Sequence, residues 1–221
     1  MNKLTELEKL KTSALKCKNC KLRCGASVVF GQGNHNAKIM FIGEAPGKKE
    51  VELTIPFVGS SGKILDKMLE KIGLNRGEIY PHTKITDNKT DNKKIISNSK
   101  KNNFGVGVYI TNICKCRPPE NRDPLDEEIK KCWPWLEKQI AIIEPKIIVT
   151  LGRFALNAFL PNAKISQVHG QLIKIEIKKI GKIKLFPLHH PAAARINRKT
   201  RAIFEEDFQK IPKLLKSKKE Q

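Results

Sequence analysis

Apolar positions along this chain gather into short dense runs, and the stretches between them repeat at helical spacing. "AKIMFIGEAPG" (37–47) is an apolar run ending in glycine and proline, the pattern of a buried strand entering a loop. "GVYITNI" (107–113), "PKIIVTLG" (145–152) and "KIKLFPL" (182–188) are three further runs rich in β-branched and aromatic residues. "GKILDKMLEKIGL" (62–74) has helical spacing and stops at Gly73, and 125–143 and 153–160 read as two more helices. Residues 4–15 set Leu4, Leu7, Leu10 and Leu15 along one face of a short amphipathic helix. "QLIKIEIKKIGKIKLFPL" has the form of a hairpin, with Gly181 near its turn, that feeds the last strand.

Strands alternating with helices predict an α/β fold with a parallel sheet covered on both faces. In such sheets ligands bind beyond the carboxyl ends of the strands. Function is therefore expected in the loops "GEAPG", "TNICKCRPP" and "LHHPAAAR". The chain length fits one domain, 1–221. Within it, 81–103 is too polar to support a packed core and reads as an inserted surface loop. Residues 211–221 read as a solvated basic tail.

Charge narrows the partners. Lys and Arg number 43 against 22 Asp and Glu, a net charge of +21, which favours a polyanion such as nucleic acid. The N-terminal segment has no uninterrupted apolar run, so neither a signal peptide nor a membrane anchor is expected. A cytoplasmic monomer without a membrane partner is the resulting expectation. In a reducing compartment, closely spaced cysteines point to metal or catalysis rather than to disulfides. Cys17 and Cys20 form one pair and Cys116 and Cys132 another, and four thiolates suit either zinc or an iron–sulfur cluster. With Cys24 and Cys114 the chain has six thiols, and an extended strand would put Asn112, Cys114 and Cys116 on one face. Chemistry alone leaves the choice of ligands open.

"VVFGQGNHNAKIMFIGEAPGKKE", "IPFVGSSGKILDKML", "VYITNICKCRPPENRDP", "IEPKIIVTLGRFAL" and "LHHPAAAR" occur in that order. Together with the cysteine spacing they resemble the iron–sulfur, family 4 uracil-DNA glycosylases over most of residues 15–210. The resemblance implies a three-layer α/β/α sandwich with a central four-stranded parallel sheet. It implies a structural 4Fe–4S cluster near the N-terminal segment, held by Cys17, Cys20, Cys116 and Cys132. Cys114 falls where the family usually has an aliphatic residue, so it is expected to be a packed small hydrophobe.

The resemblance also assigns the loops. It implies that His190 hydrogen-bonds uracil O2 and that Glu44 lies near the sugar, placing water or steadying positive charge. Phe57 corresponds to the aromatic that stacks on uracil, and Asn112 to the reader of its edge. Glu50 falls at the position near uracil C5, although the acidic residue that usually follows it is Val51 here. Gly43 and Ala45 are expected to bring backbone close to the base, as a Gly-containing loop allows. Arg117, Arg122 and Arg195 are expected DNA contacts. The substrate implied is uracil-containing DNA, single- or double-stranded, in base excision repair. Two rivals use the same residues: a glycosylase for other deaminated bases, and a metal-stabilised nucleic-acid-binding protein without catalysis. Glu44, Phe57, Asn112 and His190 favour an enzyme, because a binding module has no need of them.

Relatives commonly carry bulky leucines after the "HPA" motif, suited to wedging into a duplex as a base leaves. This chain has Ala193, Ala194 and Arg195 instead, so the wedge is either weaker or supplied by Arg195 or Ile196. Excision is therefore expected to be faster from single strands than from U·A pairs, and equal initial rates on the two substrates would count against a weakened wedge.

Overall fold

The computed structural model describes residues 2–23, 27–76 and 107–216; the 81–103 segment, Cys24 and residues 217–221 lie outside them. Six strands form one sheet: β1 (Gln32–Gly33), β2 (Ile39–Gly43), β3 (Tyr109–Asn112), β4 (Ile147–Leu151), β5 (Ile173–Ile177) and β6 (Gly181–Leu188). Their order is β1-β3-β2-β4-β6-β5. The pairings β3–β2, β2–β4 and β4–β6 are parallel, whereas β1 and β5 add antiparallel edges. Four central strands are thus mutually parallel, and the two antiparallel edges make the sheet a mixed one of six among the described residues. Neither edge strand carries a dense apolar run: β1 has two residues, and β5 alternates half-buried and exposed positions.

Eight α-helices flank the sheet among the described residues: α1 (Lys3–Leu15), α2 (Lys48–Leu53), α3 (Ser60–Lys71), α4 (Asp126–Ile143), α5 (Arg153–Phe159), α6 (Ile165–Val168), α7 (Pro191–Ile196) and α8 (Arg198–Lys216). None is long and apolar enough to cross a membrane. Every residue of β2, β3 and β4 is buried, as strands covered on both faces must be. Period-two alternation divides them between two cores. Met40, Ile42, Tyr109 and Ile148 pack with Leu7 and Leu10 of α1 and Leu136 and Ile140 of α4. Ile39, Phe41, Ile110 and Val149 pack with Leu65 and Leu69 of α3 and Phe204 and Phe208 of α8.

Two expectations need correction. In α1 the buried face is Leu7, Leu10 and Ala14, while Leu4 and Leu15 are 46% and 44% exposed. Spacing of 3, 4 and 7 residues defines a narrow stripe, and positions 4 and 15 fall at its margins. The stretch from 211 is no free tail as far as Lys216: it is the end of α8, and Ile211 is fully buried. Phe204, Asp207, Phe208 and Ile211 follow helical spacing, but the dense surrounding charge and Pro212 obscure it in the sequence.

The Phe208 ring stacks on Phe41 at 5.7 Å between centroids and lies 5.3 Å from Phe204. Phe208→Ala should therefore cost about 3–5 kcal/mol of unfolding free energy, the usual range for a buried phenylalanine. Urea titration checks this, and a loss below about 1 kcal/mol would mean that α8 is not part of the cooperative core.

Candidate active site

Parallel strands deliver their carboxyl ends to one edge. Gly43 pairs in register with Asn112, and Leu151 with Leu188, so the loops after β2, β3, β4 and β6 emerge side by side. At Gly43 a Cβ would stand 2.4 Å from Asn112 Oδ1 and 2.5 Å from Phe57 Cζ. Only glycine lets the amide and the ring meet there. Asn112 is 1% exposed; its Oδ1 has no hydrogen-bond partner, and its NH₂ faces the Glu50 carboxyl. An unpaired buried polar group costs about 1–3 kcal/mol, a cost that a bound ligand of complementary pattern relieves. Oε2 of the nearby Glu50 is likewise unpartnered. Burial raises the Glu50 pKa, opposed by backbone N–H groups of Phe57 and Gly47 and by the neighbouring Arg76 and Asn112.

His190 caps α7, and its Nδ1 accepts the Ala192 N–H at 3.1 Å. That contact assigns the ring proton to Nε2. Burial pushes its pKa down to about 4, so the imidazole is neutral at pH 7 and its Nε2–H is a donor. The ring lies 6.0 Å from that of Phe57, and Gly152 (φ +89°) backs onto its Cβ. His189 belongs to different surroundings: its ring is 5.0 Å from His169, whose Nδ1 lies 2.7 Å from the buried Asp207.

Glu44 follows Gly43 directly. Burial raises its pKa to about 7, aided by the charge of Asp123 and opposed by Arg153. Arg153 and Asp123 pair with each other at 2.7 Å. Ala45 is half-buried and packs against the α1–α4 core. The strand ends thus bring Gly43, Phe57, Asn112 and Glu50 together with His190, and Glu44 and Ala45 extend from Gly43.

The three arginines differ. Arg117 donates to Asn121 at 2.7 Å. Arg122 forks onto Glu128 at 2.9 and 2.6 Å, and Glu128 also accepts the Leu125 N–H, so this guanidinium fastens the loop to the start of α4. Arg195 is exposed in the last turn of α7, next to Ile196, which is 78% exposed.

Cys17, Cys20, Cys116 and Cys132 all line one open cavity of ≈ 370 Å³, together with Cys114. Three of the sulfurs receive N–H donors: Cys17 from Trp135 Nε1 at 3.3 Å, Cys132 from the Lys115 amide at 3.2 Å, and Cys20 from the Leu22 amide. Cys114 is fully buried in the core and also hydrogen-bonds to Cys132, which holds the Cys132 thiol below its ordinary value. Among the described residues no three His, Cys, Asp or Glu side chains converge closely enough to share a single metal ion.

Several residues that shape this edge carry no sequence signal. Lys115 is completely buried, and its Nζ donates to Thr111 Oγ1, the Asn112 carbonyl and Gln139 Oε1 at 2.6, 2.7 and 2.6 Å. Desolvation lowers its pKa to about 8. Gln139 passes the network on to the Phe30 carbonyl and Tyr109 Oη. A lysine between two cysteines reads as surface charge until the fold encloses it.

Residues 30–216 match the family model of the Uracil DNA glycosylase superfamily. The Type-4 uracil-DNA glycosylase of Sulfurisphaera tokodaii is 40% identical over 218 residues, covering 96% of this chain and 86% of the relative. Type-4 uracil-DNA glycosylases of Archaeoglobus fulgidus (37%, covering 96% and 94%) and Saccharolobus solfataricus (38%, covering 97% and 89%) are similarly related. The chain belongs to the uracil-DNA glycosylase superfamily, in its Type-4 branch.

A carboxyl whose folded pKa is raised binds more protons folded than unfolded. The stability cost of burying Glu44 therefore grows as pH rises from the ordinary 4.5 through about 7. Glu44→Gln is expected to raise the melting temperature relative to the parent at pH 8 and not at pH 4. A difference independent of pH would contradict the raised pKa.

Proposed function

We propose that this protein is a uracil-DNA glycosylase, hydrolysing the N-glycosidic bond of uracil in DNA to leave an abasic site for base excision repair. The Asn112 amide carries this reading: it is fully buried, its Oδ1 is unpartnered, and it is set beside Phe57 and Gly43 with its NH₂ facing the Glu50 carboxyl. A carboxamide offers a carbonyl acceptor next to an NH₂ donor. Held in one orientation, it complements the adjacent N–H and carbonyl of uracil and opposes the reversed pattern of cytosine. Enzymes of this chemistry swing the target base out of the stack and read it in a pocket. Phe57 supplies the stacking face, and the backbone of Gly43 and Ala45 lies along the base. Glu50 stands at the C5 side, where bulk excludes the thymine methyl.

Cleavage leaves negative charge on uracil O2 and positive character on the sugar. A neutral imidazole with its proton on Nε2 is the donor that the first requires, and His190 is neutral at pH 7. Glu44, with a pKa of about 7, retains carboxylate at neutral pH to steady the sugar and orient the attacking water. The net charge of +21 favours DNA, with Arg117 and Arg195 as phosphate contacts and the exposed Ile196 on the helix that His190 caps. Arg122 acts through its bond to Glu128, holding the loop that presents Arg117.

Cys17, Cys20, Cys116 and Cys132 fit a 4Fe–4S cluster near the N-terminal segment. They share one cavity, and three of them receive the N–H···S bonds that stabilise thiolate ligands. When bound, the cluster cross-links the segment after α1 to the end of β3 and to α4.

Purified protein is expected to convert a uracil-containing oligonucleotide into alkali-labile abasic sites. His190→Ala and Asn112→Ala should each lower kcat/KM by about 10²–10³, the usual loss on removing a donor from a developing anion. No cleavage by the parent, or full cleavage by His190→Ala, would sink the assignment. Brown, iron- and sulfide-containing protein is expected from anaerobic preparation. Cys116→Ser should lose that colour, and Cys114→Val should keep it.

A further inference from the structure

Phe57 adopts φ +55°, and Thr54 three residues earlier adopts the same value. A phenylalanine in the left-handed region is strained, and such a conformation persists only where its surroundings over-determine it. The buried side chain of Arg76 supplies the determination. It is 8% exposed, with Nη1 on the Pro56 carbonyl and Nη2 on the Phe57 carbonyl, each at 2.6 Å. Its third edge, Nε, pairs with Asp66 of α3. On the other side, the Phe57 N–H donates to the Glu50 carboxyl. The residue is thus gripped at both of its backbone polar groups, by a base and by an acid.

The frame that carries Arg76 is itself fixed. The carbonyl of the preceding Asn75 accepts the Val108 N–H at 2.8 Å, which anchors the segment beside the start of β3. Gly62 in the first turn of α3 permits the contact from below, since a Cβ there would stand 1.7 Å from the Phe57 carbonyl oxygen. With its backbone locked, the Phe57 ring lies against Gly43 and 6.0 Å from the ring of His190.

We propose that Arg76 is a positioning residue for uracil excision: its fork onto two consecutive carbonyls holds Phe57 in the strained conformation that turns its ring toward the base. This rests on the reading of Phe57 as the stacking aromatic. A lysine reproduces the charge beside Asp66 but is a point donor without the planar fork, so it cannot serve both carbonyls and the carboxylate at once.

The test compares the parent, Arg76→Lys, Arg76→Met, Phe57→Ala and the double variant Arg76→Lys/Phe57→Ala on a uracil-containing oligonucleotide. Free uracil is used as a product inhibitor, and a duplex bearing a stable abasic-site analogue reports DNA affinity. Arg76→Lys is expected to lose at least tenfold in kcat/KM and in free-uracil affinity, with affinity for the abasic duplex within twofold of the parent. In the Phe57→Ala background, where no ring remains to be positioned, the same change should cost less than twofold further. Arg76→Met should match or exceed the loss of Arg76→Lys, and Arg76→Lys keeps the test decisive if the methionine variant does not fold. Parent-level kinetics in Arg76→Lys, or losses that simply add to those of Phe57→Ala, would overturn the positioning role. Parent-level activity in Phe57→Ala would overturn the stacking role and this inference with it, whereas an inactive parent would overturn the glycosylase assignment itself.

Discussion

Strands that run parallel through one apolar slab must surrender their next residues at the same edge, and this molecule is organised around that constraint. The register that pairs Gly43 with Asn112, and Leu151 with Leu188, is set by burial. Slipping any central strand by one residue would exchange its two faces and turn a side chain sized for one core into the other. Because β2, β3 and β4 are buried throughout, that penalty is large and the register is unambiguous. Precision at the edge is therefore inherited from the cores beneath it. The amide of Asn112 meets the backbone of Gly43 because Tyr109, Ile110, Met40 and Phe41 have nowhere else to go.

On this frame the polar groups at the edge are arranged to remain incompletely satisfied. Asn112 and Glu50 keep unpartnered atoms in buried positions, and Phe57 keeps a strained backbone. Each is a local cost, and each is held by a neighbour that is itself well bonded. Lys115 fixes the Asn112 carbonyl, Arg76 fixes that of Phe57, and Glu50 takes the Phe57 N–H. Stability is lost where a ligand can return it, and the supporting residues keep the site from relaxing in the meantime. Lys115 also joins two parts of the molecule. Its amide donates to Cys132 Sγ in the cysteine cavity while its side-chain nitrogen holds the Asn112 carbonyl, so the cavity and the end of β3 share a residue.

Much of this was legible in the chain. Dense apolar runs located β2, β3, β4 and β6, and the Pro/Gly-rich loops after them located the edge that carries Glu44, Asn112 and His190. Cysteine spacing pointed to one shared site, and the four paired cysteines do line one cavity. The short edge strand β1 and the charged helix α8 were not legible, because neither shows apolar density above its surroundings. Arg122 read as a DNA contact, yet its guanidinium is taken by Glu128; nothing in "ENRDP" reveals a partner on the next helix. Cys114 read as a packed small hydrophobe and is fully buried in the core, where it also touches Cys132 beside the cavity.

The α/β class, the loops at the strand ends and the residue types available there follow from local periodicity and side-chain chemistry, both of which are written along the chain. The electrical and conformational state of those residues comes from the folded surroundings. His190 is neutral with its proton on Nε2 because burial and the Ala192 N–H make it so. Glu44 titrates near 7 because it is desolvated beside Asp123. Phe57 holds a left-handed backbone because Arg76 reaches it across 19 residues of chain. Desolvation and long-range hydrogen bonds depend on what surrounds a group in space, and no window of sequence contains that neighbourhood.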